Sequence, residues 1–284
     1  MTGERCSAAS TRRNDPLAAT APPVLRWLLV EQPGPWGPTA LRQSRLPAGV
    51  ADALAAKAHQ ADARLVLIRR VFRSSARRRW AFADSRPGHE GIWWGEFDDP
   101  AELGGLELAE LGGVPSTTPV YLVCTHGKHD ACCALHGRPL AAALAAARPA
   151  ETWECSHIGG DRFAGNLVTL PHGFYYGRVP LDQVVGLAVG YEAGTVDLRW
   201  LRGRSSLSPP AQAAQHFVRL RLGELGRDAL RPAEVRRLGH ELWRVELDGG
   251  VGVTVRAVHE RSDTPLTCSA RVSAPIKRFE LVES

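Results

Sequence analysis

Two short stretches of this 284-residue chain collect side chains that bind metals. Cys124 and Cys133, nine positions apart, bound the run CTHGKHDACC. His157 and Asp161, four apart, lie in CSHIGGDRFAGN, which begins at Cys155. An alanine-rich run of helical length separates the two, and elsewhere cysteine occurs only at positions 6 and 268. Thiolates and imidazole gathered at two points in this way encode a metal centre. The chemistry would then reside in the inorganic group, and the polypeptide would supply ligands and surroundings.

The elements that must position these side chains can be read around them. Residues 119–123 form an apolar strand ending at Cys124, and 133–147 a helix with Cys133 at its head. Asp130 occupies the N-cap position, so backbone donors and the helix field favour a thiolate there. A strand over 152–155 leads to His157, and Gly159-Gly160 permits a tight turn whose N–H groups approach an anionic centre. Two strand-end loops would thus face each other with two ligands each, a four-ligand box. Cys155, two residues before His157, shares its face if the strand alternation continues. Arg162 within the same motif would tune charge and help to dock an acidic partner. Cys132 reads as a small buried helix residue, and His126 and His129 as residues behind the ligands or facing solvent. Cys6 and Cys268 read as isolated, reduced thiols.

Around this centre the chain reads as α/β. Residues 1–23 are polar and patternless, and a disordered leader is expected there. An N-terminal α/β unit follows over 24–115, with strands at 24–30, 65–68, 80–83 and 92–97 and helices at 48–61 and 101–111. The unit over 116–204 repeats that order, with a hairpin of 167–170 and 174–176 and a helix over 181–191. Strand, helix, three strands and helix in each half suggest a thioredoxin-like layer and an old duplication. Residues 202–210 read as a linker. Residues 209–284 read as a small α+β unit, with helices at 211–225 and 232–238 and a hairpin of 242–247 and 251–255 turning at Asp248-Gly249-Gly250.

The segments CTHGKHDACC and SHIGGDRFAGN, followed by YYGR, resemble the sucrase/ferredoxin-like family of thioredoxin-like [2Fe–2S] proteins. The stretch from Glu31 to Gly37 and the run from Leu67 to Arg70 are similar to that family's N-terminal region, so the resemblance covers about 25–195. It implies a thioredoxin-like ferredoxin domain, a [2Fe–2S] cluster and a redox role with a separate partner protein. In bis-histidinyl members, two cysteines nine apart and two histidines four apart hold the cluster. By position these fall on Cys124, Cys133 and His157, whereas Asp161 stands where the second histidine is expected. Three outcomes are open there, in this order: Asp161 binds iron through its carboxylate, Cys155 swings in, or the cluster is absent and another metal or none is held.

Bulk properties exclude several classes. No run of about eighteen apolar residues exists, so no membrane span is encoded. The N-terminus lacks an export signal, which places the chain in the cytoplasm and argues against reading six cysteines as a disulfide framework. The net charge of +5 is carried by arginine, with lysine only at 57, 128 and 277. The densest basic run, Arg69 to Arg79, comes with no nucleic-acid motif and reads as a solvated connection between strands. No paired carboxylates flank a sugar cleft, so no glycosidase signature is present and no catalytic residue is assigned. The expected function is electron transfer through one [2Fe–2S] cluster held by Cys124, Cys133, His157 and Asp161, with Gly159, Gly160 and Arg162 around it. The alternatives are a thioredoxin-like thiol oxidoreductase, or a structural zinc in the same place.

Overall fold

A computed structural model describes residues 4–72, 77–106 and 113–282 of the chain. It is mixed α/β, with one ten-stranded sheet, a separate four-stranded sheet and five α-helices among the described residues. The first half contains β1 (Arg26–Glu31), α2 (Ala48–Gln60), β2 (Ala63–Arg69), β3 (Arg78–Asp84), β4 (Gly91–Phe97) and β5 (Val114–Ser116), preceded by α1 (Cys6–Arg12). The second contains β6 (Val120–Cys124), α3 (Ala131–Ala147), β7 (Thr152–Cys155), β8 (Leu167–Leu170), β9 (Phe174–Tyr176), α4 (Val184–Glu192) and β10 (Leu201–Arg204).

The large sheet runs β10-β9-β8-β6-β7-β2-β1-β3-β4-β5. Each half holds one parallel pair, β1 with β2 and β6 with β7, closed by a helix. The next two strands add antiparallel beside the first member of that pair. Both halves therefore order their first four strands fourth, third, first, second, with the third antiparallel to the rest, as a thioredoxin-like layer requires. The halves join where β2 meets β7, pairing Ile68 with Cys155 and Arg69 with Glu154. The repeat suggested by element order is thus present in the strand order.

Burial follows from the strands' composition. β6 is buried along its whole length, as a central strand covered on both faces must be. One face packs under α3 and α4, where Leu140, Ala141 and Leu144 meet Val184, Leu187 and Tyr191. α2 covers the corresponding face of the first half through Leu54 and Ala58. On the other face the halves share one core. Trp94 stacks on Trp153 at 5.6 Å and Trp27 lies 6.0 Å from Tyr175, so the sheet curls over itself. Of the basic run, Arg70 and Arg79 lie over Trp153 and Trp94, and Arg73 lies outside the described residues.

Four expectations are corrected. The leader is not disordered over its described part: α1 packs on the 161–163 turn with Cys6, Ala9 and Ser10 buried. The linker begins with β10, hydrogen-bonded to β9, because Leu201 and Gly203 fit the sheet edge left by the hairpin. In the C-terminal unit, α5 (Pro209–Leu222) packs on a sheet of β11 (Pro232–Gly239), β12 (Leu242–Leu247), β13 (Val251–Arg261) and β14 (Pro275–Val282). Residues 232–238 thus form a strand rather than a helix. Pro232 imitated a first helical residue, but β12 offers a ladder that the segment joins. Of the expected 101–111 helix, Pro100–Gly105 form a 3-10 turn and 107–112 lie outside the described residues. No helix among the described residues is long and apolar enough to cross a membrane.

Candidate metal centre

The site forms where the neighbouring parallel strands β6 and β7 end, the edge at which open α/β sheets place their ligands. β6 delivers Cys124 as its last residue. The following loop tightens through hydrogen bonds from the His129 and Asp130 N–H groups to the His126 carbonyl. Asp130 then caps α3, its carboxylate accepting from the Cys132 N–H at 2.8 Å. This start turns Cys133 back over the strand end. Gly137, one turn on, allows the close approach, since a Cβ there would overlap the Cys124 carbonyl oxygen.

From the other side, β7 ends at Cys155 and the chain turns through His157 and the two glycines into the 161–163 turn. Gly159 and Gly160 adopt φ of 100° and 86°, a region open to glycine but costly to other residues. They are needed for a second reason. A Cβ on Gly160 would collide with the guanidinium of Arg202, which crosses directly behind the loop.

The ligand atoms of Cys124, Cys133 and His157 lie within 4.8 Å of one another. Asp161 closes the set. Its Oδ1 accepts from the Cys133 thiol at 3.2 Å and lies 3.0 Å from His157 Nδ1, an ion-pair contact out of line with the ring N–H. Cys124, Cys133 and Asp161 are almost fully buried, and His157 is partly open. Cys124, Cys133 and His157 could hold a metal ion, as could His129, His157 and Asp161, and the two groups share His157.

The electrostatics have the same origin. Hydrogen bonds from Cys133 and His157 hold the Cys124 thiol well below its ordinary value against the cost of burial. The same contact, with burial, pushes the Cys133 thiol up. Burial alone would lower His157, yet the Asp161 carboxylate and Cys124 outweigh it and lift the imidazole to about 9. Burial would raise Asp161, and His157 overcomes it, so the carboxyl stays below its usual range. The anionic Cys124 and Asp161 thus face a protonated imidazole and a protonated Cys133, and a metal binding here would displace those two protons.

Other expected residues go elsewhere. Cys155 pairs across the ladder with Cys124 but is not among the converging ligand atoms. β7 stops at Cys155, so alternation does not carry over to His157, and the thiol is buried in the shared core. Arg162 is directed to the N-terminal segment, 3.3 Å from Asp15 Oδ2 and 4.3 Å over the Phe163 ring, and not to the ligands. His126 is buried and engaged at both nitrogens, one facing the Gly37 carbonyl at 2.8 Å and Nδ1 accepting from the His157 N–H at 3.2 Å. It therefore orients the loop rather than ligating.

Two functional residues were not apparent from spacing. His129 stacks on the His157 ring at 3.7 Å and places Nε2 3.7 Å from Asp161 Oδ2, at the solvent edge of the site. Arg202 is fully buried. It donates to the Gly159 carbonyl at 2.9 Å, to Asn166 Oδ1 at 2.8 Å and to the Thr20 carbonyl at 2.6 Å. Asn166 in turn donates to the Gly160 carbonyl at 2.8 Å. Burial pulls the guanidinium down to about 9, still cationic at neutral pH, so a fixed positive charge backs the loop that carries His157 and Asp161. Only the conjunction of a glycine pair with a distant arginine would have revealed it.

The family model described as sucrase/ferredoxin-like matches residues 17–196, which span α2 through α4 and every residue of the site except Arg202. No curated protein and no solved structure gives a significant match. With that match covering more than half of its length, the chain belongs to the sucrase/ferredoxin-like family.

Proposed function

We propose that this chain is an electron-transfer protein carrying one [2Fe–2S] cluster ligated by Cys124, Cys133, His157 and Asp161. The observation behind the reading is the convergence of two thiols, an imidazole and a carboxylate at the ends of two parallel strands, in a member of this family. The residues present suit such a group. Two thiolates supply soft ligands, and Asp161 supplies a hard one where bis-histidinyl members carry imidazole. The cluster when bound supplies a one-electron couple.

The protein's own part is placement and screening. Cys124 and Cys133 are held by a strand end and a capped helix, elements stiff enough to limit rearrangement on electron transfer. Burial by α3 and the inner core keeps water from the sulfurs, while His157 and His129 form the face open to a partner. Arg202 opposes the negative charge of the ligand set from behind the glycine loop. A separate redox protein is the implied partner, in an aqueous compartment, with neither nucleic acid nor membrane involved. Cys124 and Cys133 are each only 1% exposed, which argues against a thiol oxidoreductase, since a substrate disulfide must reach an accessible thiolate.

A second reading has one observation in its favour. The donor atoms of Cys124, Cys133 and His157, within 4.8 Å of one another, also fit three corners of the tetrahedral shell of a single zinc ion. Anaerobic purification with assays of iron, acid-labile sulfide and zinc separates the two. Equimolar iron and sulfide, both lost in Cys124→Ser, is the expected result. Zinc at this site without sulfide would establish the second reading.

A further inference from the structure

We propose that Cys6, Cys132 and Cys268, completed by the carboxylate of Asp130, form a second metal site built for a structural zinc ion. Three sulfurs from three distant segments meet as a near-equilateral triangle. Cys6 and Cys132 are 3.6 Å apart, Cys132 and Cys268 3.4 Å, and Cys268 and Cys6 3.5 Å. Asp130 lies over the same triangle, with its carboxylate oxygens 3.8 and 3.7 Å from Cys6 Sγ. All four ligand atoms fall within 4.8 Å of one another.

The spacing selects the occupant. A tetrahedral zinc with Zn–S bonds of about 2.3 Å places its sulfurs about 3.8 Å apart, so these thiols need move only a few tenths of an ångström. A disulfide would require closure to about 2.05 Å, far inside the distances present. Sulfurs on separate irons of a cluster stand farther apart than these. Three thiolates and one carboxylate form a closed four-ligand shell, the mark of a structural site rather than a catalytic one.

The surroundings are those of a constructed site. Both carboxylate oxygens of Asp130 are oriented by backbone donors, from Cys132 at 2.8 Å and Cys268 at 2.7 Å. Ser7 Oγ donates to Cys132 Sγ at 3.2 Å and also contacts His136 Nε2 at 3.1 Å, the outer support that metal ligands commonly receive. Arg12 and Arg13 bind Asp263, which holds the β13–β14 loop bearing Cys268 against α1. A metal is needed there for a physical reason. Among the described residues the buried apolar cluster at α1 is Cys6, Cys132 and Ala164, with Ala9 also buried on the helix, a small core for a seven-residue helix and a long loop. Cys132 and Cys133 are thus neighbours that serve two different centres on the first turn of α3.

The test is zinc content of the whole protein and of Cys268→Ser and Cys6→Ser. Cys268 is exposed and lies outside the buried cores of both sheets, so its replacement leaves those cores intact. Wild type should retain one zinc per chain through dialysis, and each variant should bind it at least about tenfold more weakly. Iron and sulfide should be unchanged in both variants, and Cys124→Ser should keep this zinc, which separates the proposal from the reading of the first centre. Cobalt(II) added to the metal-stripped chain should give a thiolate charge-transfer band that weakens in both variants. Zinc content equal in wild type and variants, absence of zinc from wild type, or a disulfide among the three cysteines would overturn it.

Discussion

In the proposed centre Asp161 is the residue that sets the charge. As a ligand it brings one negative charge that a neutral imidazole does not, and added negative charge disfavours reduction. The potential should lie below the range of two-histidine Rieske centres, about −150 to +300 mV, and above the about −400 mV of plant-type all-cysteine clusters. Asp161→His should raise it, and Asp161→Ala should lose the cluster absorbance, while Cys155→Ala and His129→Ala should keep their iron. Protein-film electrochemistry on wild type and Asp161→His checks the order, and a wild-type potential within the Rieske range would refute it. The meeting of Cys124, Cys133, His157 and Asp161 was legible because these residue types stand at short spacings beside obvious element ends. Cys155 was misjudged because alternation holds only while a strand lasts, and β7 ends at that residue. Arg162 was misjudged because Asp15, which it faces, lies in a segment with no pattern to read.

The loop and the hairpin beside it account for the precision of the site. Gly160→Ala would place a Cβ at φ of +86° and against the Arg202 guanidinium. The conformational cost alone is about 1 to 2 kcal/mol, so the variant should melt earlier and retain less iron; unchanged iron content would contradict the role given to this loop. The β8–β9 hairpin carries His172, which pairs with the Tyr191 hydroxyl at 2.6 Å. Burial, reinforced by Arg227 and Arg204, lowers this imidazole to about 4. The unfolded chain, with an ordinary value near 6.5, therefore binds the proton more readily than the folded one. The contribution of His172 should be level above about pH 6.5 and fall as pH drops towards 4, by up to about 3 kcal/mol. Denaturant titrations across that window should show the slope, and His172→Gln should flatten it; an equal slope in the variant would contradict the assignment.

At this scale, β8 and β9 were readable to the residue, since apolar runs broken by Pro171-His172-Gly173 leave one solution. β11 was not, because its exposed residues show no burial period and its leading proline favoured a helix. α1 was hidden by its short, polar sequence. Its order comes from partners more than a hundred positions away, which no local pattern records.

Across the whole molecule, one sheet is built from two like halves, and the cluster of Cys124, Cys133, His157 and Asp161 lies in the second. The first half contributes support: Gly37 receives His126, Trp36 meets that ring edge-on at 5.9 Å, and Trp94 closes the core on Trp153. Arg202 ties the N-terminal segment, the glycine loop and Asn166 into one unit through a single buried charge. Much of the arginine-borne charge is likewise spent on carboxylates and aromatic rings, not presented as a basic patch. The repeat of element order could be read in advance, whereas the joining of the halves at β2 and β7 depends on pairing between distant strands.

The most direct test is electron–nuclear double resonance on the anaerobically purified, chemically reduced protein, with histidine labelled by ¹⁵N. One paramagnetic centre per chain coupled strongly to a single histidine nitrogen, with the coupling lost in His157→Ala, is the predicted result. Two coupled nitrogens, none, or a chain with no paramagnetic centre would contradict the ligand set of two thiolates, one imidazole and one carboxylate.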